Sequence, residues 1–453
     1  MKVVIAGSGK IGKAIIGSLV NEGHDVVVID DNKNVISSVS NIYDVMGVCG
    51  SATDYETLEN AGVSDAELFV AVTSSDEINM LSCFVAKRMG AKYTVARIRN
   101  PETSEKQIAF IKQELDISYV INPDLLAAKE IFNILRLPAA VNIETFSRRN
   151  FEMIELIVKK DSKLDGVTLA ELRKKHNSKF LVCAVRRGDE VYIPGGDFEL
   201  KAGDKIGITA MPAEIQKLLK QVESNLTQVK NVMVMGASRG SSYLARMLIK
   251  SGIAVKLIDM RAERCEEFSR MVPEATVIHG NGAEQEVLLE EGISAAGAFI
   301  ALTGMDEENI LVSCFANSNG VPKVITKVNK TEMASMAEKL GLDTIISPKR
   351  IVSDVIVRYA RAIKNSMDSN IETLYKLMDG KIEAIEFIVG EEFPYAGIPL
   401  KELKIKKNIL IAGFLRGRKV VIPSGSDEIA KDDRVIVIAA GENISNLSDI
   451  IEN

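Results

Sequence analysis

A long internal repeat constrains this sequence more than any other feature. The segment Lys2-Val-Val-Ile-Ala-Gly-Ser-Gly-Lys-Ile-Gly12 returns as Asn231-Val-Met-Val-Met-Gly-Ala-Ser-Arg-Gly-Ser241, which places Gly7 on Gly236 at an offset of 229. Asp30 meets Asp259 at the same offset, and Thr73 meets Thr303 and Arg97 meets Lys327 at 230. Agreement over so long a stretch predicts tandem domains rather than a solenoid of short units. The 453 residues suit three or four domains of ordinary size, and the repeat favours four.

Within each repeat, short Val/Ile-rich strands alternate with helical patterns. Strands at 2–6, 26–29 and 68–72 are apolar on both faces, as buried parallel strands must be. Lys13 to Glu22 and Ile78 to Met89 carry helical apolar spacing. The fold class is therefore α/β, with two Rossmann-like, doubly wound parallel-sheet domains. Helices opening at Asn122-Pro123 and Ser347-Pro348 carry apolar stripes that need a partner surface. Each is followed by a small α+β module with strands at 151–158, 179–185, 190–194 and 205–209, repeated at 381–389, 408–414, 419–423 and 434–438. Asp204 and Asp433 keep the 229 offset in these modules. The expected boundaries are 1–140, 141–225, 229–365 and 366–453, with the polar stretch Lys217 to Lys230 joining the halves.

A net charge of −6 provides no global field to hold nucleic acid or an anionic bilayer, so neither is an expected partner by charge alone. The longest stretch free of charged side chains, Gly292 to Met305, is too short to span a bilayer, and the N-terminus begins a strand in place of a signal peptide. A cytosolic chain that can dock on a membrane protein is expected. Cys49, Cys83, Cys183, Cys265 and Cys314 form no CxxC pair and predict reduced thiols in apolar surroundings.

Gly7-Ser8-Gly9-Lys10-Ile11-Gly12 fits GxGxxG, follows a buried strand, opens a helix and precedes an acid at Asp30. Gly7 permits the tight turn, Gly9 lets backbone N–H groups approach a pyrophosphate, and Gly12 lets the helix pack against the strand. Asp30 accepts from ribose hydroxyls and repels a 2′-phosphate, which points to NAD or an adenosine phosphate and away from NADP. A P-loop is excluded because Ala14 offers no oxygen for Mg²⁺. Lys10 and Lys13 are open to two roles, phosphate contact or solvated helix-start cations. Thr73 and Ser74 end a strand at the crevice, with Ser75 or Asp76 as the N-cap of the next helix. Ser51, Ala52 and Thr53 are candidate adenine contacts or an ordinary helix-start turn. Arg97, at another strand end, is placed to clamp a phosphate.

The second copy is worn. In Gly236-Ala237-Ser238-Arg239-Gly240-Ser241, serines replace two of the three glycines, Arg239 is a candidate to compensate by contacting phosphate, and Asp259, Asn281, Thr303 and Lys327 keep a polar crevice. A weaker or differently selective site and a purely structural copy both fit this pattern. For catalysis the chain offers as histidines only His24, His176 and His279, each read as solvated or turn-forming, and no metal cluster or nucleophile elbow. A nucleotide-binding module is preferred to an NAD-dependent oxidoreductase of unknown substrate.

The GSGKIG turn, Asp30, Gly50-Ser-Ala-Thr-Asp54, Thr73-Ser-Ser-Asp-Glu-Ile-Asn79 and Ala96-Arg-Ile-Arg-Asn-Pro-Glu102 together resemble the domain that regulates potassium conductance, RCK or KTN. The small modules resemble the RCK C-terminal domain, so the resemblance covers essentially the whole chain. It departs from the family's usual turn at Ser51, where an acid is common, and in the second glycine motif. The resemblance implies a gating subunit that binds NAD(H) and ATP or ADP, forms a homo-oligomeric ring of tandem chains, and docks beneath an integral membrane potassium translocator.

Overall fold

The structure, a computed structural model, describes residues 1–100, 105–137, 139–146, 151–160, 162–175, 179–222, 229–368, 371–417, 419–441, 444 and 446–452. It divides into two compact units. The first contains Met1–Phe132 with Asn231–Ala360, and the second Asn133–Lys230 with Arg361–Asn453.

In the first copy β1 (Lys2–Ala6), α1 (Lys10–Asn21), β2 (Asp25–Asp30), α2 (Lys33–Tyr43), β3 (Met46–Cys49), α3 (Tyr55–Asn60), β4 (Leu68–Ala71), α4 (Asp76–Met89), β5 (Tyr93–Arg97), α5 (Glu105–Glu114), β6 (Tyr119–Ile121) and α6 (Pro123–Arg136) follow in order. The strands form a parallel sheet ordered β3-β2-β1-β4-β5-β6, the doubly wound sheet expected from the alternating pattern. Both faces are covered, so central strands such as β1 and β4 are buried along their length. Phe69 and its counterpart Phe299 are fully buried, each contributing roughly 2–3 kcal/mol of apolar burial.

The first module contains β7 (Ala140–Phe146), β8 (Phe151–Ile157), α7 (Leu169–Lys175), β9 (Phe180–Arg187), β10 (Glu190–Tyr192), β11 (Lys205–Ala210) and α8 (Pro212–Val222). The expected joining stretch is corrected here. Lys217 to Val222 is the end of α8, whose Ile215, Leu218, Leu219 and Val222 are buried at helical spacing, and residues 223–228 lie outside the described set.

The second copy repeats the first sheet with β12 (Asn231–Met235), α9 (Arg239–Lys250), β13 (Ala254–Asp259), α10 (Ala262–Met271), β14 (Thr276–His279), α11 (Gln285–Glu290), β15 (Ala298–Ala301), α12 (Asp306–Ser318), β16 (Val324–Lys327), α13 (Thr331–Lys339), β17 (Ile345–Ile346) and α14 (Pro348–Asp368). Its strand order is β14-β13-β12-β15-β16-β17. The second module follows with β18 (Ile371–Leu377), β19 (Ile382–Ile388), β20 (Ile409–Arg416), β21 (Lys419–Val421) and β22 (Arg434–Ala440).

In the first unit the two copies touch through α14 and through the start of α6. α14 of the second copy lies on the first, where Ser353 Oγ donates to Ala14 O at 3.1 Å and Tyr359 stacks on Tyr119 with ring centroids 5.3 Å apart. In the other direction Asn122 Nδ2, at the start of α6, donates to Tyr243 Oη on α9 at 3.0 Å.

In the second unit two five-stranded antiparallel sheets, β10-β9-β11-β8-β7 and β18-β19-β22-β20-β21, share a core that joins Phe151, Met153, Cys183 and Ala184 to Met378, Ile382, Ala412, Leu415 and Ile436. The paired acids are buried clasps. Arg187 grips Asp204 through Nε at 2.8 Å and Nη2 at 2.7 Å, and Arg416 grips Asp433 at 2.9 and 2.7 Å. A Cβ on Gly413 would stand 2.6 Å from the fully buried Phe151 ring. Gly413→Ala is therefore expected to destabilise this unit by about 1–3 kcal/mol, measured as a lower denaturation midpoint with the first unit as internal reference.

Among the described residues no helix is long and apolar enough to cross a membrane. Cys83, Cys183 and Cys265 are buried as expected, whereas Cys49 is exposed because it ends the edge strand β3.

Candidate functional site

β1 lies between β2 and β4, so its carboxyl end opens at the centre of the sheet. Gly7 turns there with φ +98°, a conformation that favours glycine, and donates to Ile29 O at 2.8 Å. A Cβ on Gly7 would lie 2.7 Å from Thr73 N, and one on Gly12 would lie 2.0 Å from Gly7 O. These two glycines are required by packing. Gly9 is different, because a Cβ built on it meets nothing within 4 Å, and no side chain caps the helix it begins. The free N–H groups and positive dipole end of α1 thus face open space, as an anion site needs. Lys10 is exposed beside it, and Ile11 and Lys13 are half-buried.

Asp30 is fixed from its own chain. Its Oδ2 accepts from Ser8 N at 2.8 Å and Ser8 Oγ at 2.7 Å, and its Oδ1 accepts from Asn32 N at 3.0 Å. A carboxylate offers about four acceptor positions, of which these bonds take three, and the side chain is partly exposed. Partial burial pushes the carboxyl pKa up, but the Ser8 and Asn32 hydrogen bonds outweigh it and hold Asp30 below its ordinary value. It is charged at neutral pH.

The crevice wall is organised by a residue that sequence reasoning gave no role. Asn79, fully buried on α4, accepts from Thr73 N and Thr73 Oγ1, both at 2.8 Å, and donates to Arg97 O at 2.9 Å. It ties the ends of β4 and β5 together. Asn309 does the same for Thr303 and Lys327 O, at 3.0, 2.7 and 3.0 Å, and the repeat offset of 230 was the available signal. Arg97 is buried and donates through Nη2 to Thr73 O, while its Nε has no hydrogen-bond partner. Burial, reinforced by Arg99, lowers its pKa to about 10, so it stays cationic at neutral pH.

Ser74 is exposed at the crevice lip, and Ser75 is the N-cap of α4, accepting from Ile78 N at 3.1 Å. Ser51 and Thr53 hydroxyls lie 3.0 Å apart in a turn with Ala52 buried beneath, and Asp54 then caps α3. His24 occupies the turn before β2 but is buried rather than solvated, because the turn packs beside Leu19 and Met1. His279 bonds Met260 O at 3.1 Å, and His176 lies outside the described residues.

The second turn keeps the left-handed glycine, with φ +103° at Gly236, but has different bonding. Ser238 and Ser241 form a capping box, and Ser241 Oγ donates to Gly236 O at 2.6 Å. Ala237 N donates to Asp259 Oδ2 at 2.7 Å, and Arg261 donates to Asp259 through its backbone N and Nε to Oδ1 and through Nη2 to Oδ2, at 2.9, 3.0 and 3.0 Å. Asn281 closes a turn by accepting from Ala283 N at 3.1 Å. Lys327 has its ammonium pKa lowered by burial, against the pull of Asp124 and Asp306. Between the two copies lies a cavity of about 550 Å³ lined by Ser74, Asp76 and Arg99 from the first and Ser238, Arg239 and Arg264 from the second.

The family model for the TrkA-N domain matches residues 3–123 and 232–348, and that for the TrkA-C domain matches 153–223 and 384–452. The chain belongs to the TrkA family. Among its relatives in that family, the Trk system potassium uptake protein TrkA homolog of Archaeoglobus fulgidus is 33% identical over 99% of this chain and 100% of that protein. The Trk system potassium uptake protein TrkA of Vibrio alginolyticus is 28% identical, covering 99% and 98%. The TrkA-family fold recurs in the solved GsuK channel bound to NAD, with TM-score 0.63 and 17% identity over 97% of this chain and 77% of that one. The fold that the resemblance to RCK domains implies is that of the solved GsuK RCK domain, with TM-score 0.64 and 17% identity over 97% of this chain and 92% of that one.

Proposed function

We propose that the chain is the nucleotide-sensing regulatory subunit of a Trk-type potassium uptake system. It binds NAD(H), and ATP or ADP at the same kind of turn, and docks from the cytoplasm on an integral membrane translocator of the TrkH/TrkG type as a homo-oligomeric ring. One observation carries the nucleotide reading: α1 begins uncapped over open space, beside an Asp30 carboxylate with an acceptor position to spare. The potassium role rests on the Trk uptake proteins that match over full length. Thr73, Ser74 and Arg97 are proposed to meet phosphate, and Ser51, Ala52 and Thr53 the adenine edge. The chain is proposed to gate rather than catalyse. Nucleotide moves it between shapes to the extent that one shape binds it more tightly.

Calorimetry of the whole chain with NADH, NAD, ATP and ADP is expected to show saturable binding, with NADH absorbance constant over the titration. Steady NADH consumption would favour the oxidoreductase reading. A local probe adds to this test. Cys49 is exposed and pairs in register with Asp30, so saturating NADH is expected to slow its alkylation several-fold. Cys83 and Cys183 should stay unreactive with or without ligand, since burial raises both thiol pKa values, that of Cys183 to about 12. An unchanged Cys49 rate in saturating NADH would place the ligand elsewhere.

A further inference from the structure

We infer that the second glycine turn is closed to the dinucleotide by its own side chains, so that each chain binds one NADH, in the first copy. This rests on the nucleotide reading of the first turn. The two turns align in sequence at an offset of 229, and at two places where the first leaves a group free, the acid and the helix start, the second has internal bonds.

Consider the acid first. Position 8 carries Ser8 in one copy and Ala237 in the other, and position 32 carries Asn32 and Arg261. Removal of the serine hydroxyl takes a donor from the carboxylate, and the arginine side chain supplies two. Asp259 consequently receives four hydrogen bonds, two on each oxygen, against three on Asp30. Four is about the full capacity of a carboxylate. Asp259 is buried and paired with Arg261, while Asp30 is partly buried. A ribose hydroxyl arriving at Asp259 would have to displace a bidentate, charge-assisted pair, which is among the stronger hydrogen-bonded arrangements.

The anion site is filled in the same way. A Cβ built on Gly9 meets nothing within 4 Å, whereas the corresponding residue of the second copy, Ser238, carries a side chain that caps its helix. Ser238 Oγ accepts from Ser241 N at 3.1 Å, satisfying a helix N–H that a phosphate oxygen would otherwise accept from. Ser241 Oγ in turn bonds both Ser238 Oγ, at 2.8 Å, and Gly236 O. The helix start and the acid of the second copy are therefore committed to internal bonds, and its shape does not depend on nucleotide.

The test is the stoichiometry of NADH binding to the full chain, by calorimetry and NADH fluorescence, in the natural sequence and two exchanged variants. Ser238→Gly with Arg261→Asn opens the second turn by giving it the residues of the first at these two positions. Gly9→Ser with Asn32→Arg closes the first, and the open space at Gly9 and its ordinary φ of −66° allow that serine without strain. Expected are one equivalent for the natural chain, two for the opened variant, and at least a tenfold loss of affinity for the closed one. Two equivalents in the natural chain, or full affinity in the closed variant, would overturn the inference and leave the nucleotide reading standing. If the opened variant does not fold, the closed variant decides alone. No binding by the natural chain would instead remove the nucleotide reading and this inference with it.

Discussion

Asp30→Ala is expected to weaken NADH binding by about 10- to 100-fold. Hydrogen bonds to a charged acceptor contribute roughly 1.5–3 kcal/mol, and each 1.4 kcal/mol is a factor of ten in affinity. The carboxylate also anchors Ser8, a fully buried residue whose N–H and hydroxyl both donate to it, so part of the loss will come from a loosened turn. Asp30→Asn separates the two contributions: it keeps an oxygen for Ser8 but removes the charge. NADPH should bind the natural chain more weakly than NADH, since Asp30 is held below its ordinary pKa and repels a 2′-phosphate. Unchanged NADH affinity in Asp30→Ala would remove the ribose contact.

The second large effect concerns Asn79. Its replacement by alanine strips partners from Thr73 N and Arg97 O in a fully buried setting, and leaving such groups unsatisfied costs about 2–4 kcal/mol. The ends of β4 and β5 should separate, moving Thr73 and Arg97, so both the unfolding midpoint and NADH affinity are expected to fall. Asn309→Ala makes the same cut in the second copy. It should cost similar stability and leave NADH affinity close to that of the natural chain. Equal losses of affinity in the two variants would show that both crevices hold nucleotide.

Much of this arrangement was legible in the sequence because it rests on local chemistry. Gly7, Gly12 and Asp30 announce themselves by type and spacing, and the structure shows the contacts that require them. The buried strands read directly from their apolar runs. What escaped depends on side chains meeting across the chain. Asn79 looked like one more polar residue in a helix start, since nothing local shows that it reaches both β4 and β5. Arg261 stands two residues after Asp259, yet its significance appears only when Ala237 is set against Ser8. The helix at Pro212–Val222 was visible in its spacing but masked by Lys217 and Lys220 on its solvent face. The edge strands β7 and β18 owe their existence to pairing with β8 and β19.

The contacts that α14 and the start of α6 make across the copies set a condition on how the two halves can change over time. If the copies were separate identical chains, their pairing would weaken on dilution, and any substitution would enter both crevices at once. Joined in one polypeptide, they meet at a fixed effective concentration, and neither can find the wrong partner more readily than the right one. Each position then exists in two independent versions. A serine can seal one helix start while a glycine keeps the other open, and the mismatch persists in every molecule. Covalent fusion is what makes an asymmetric pair heritable.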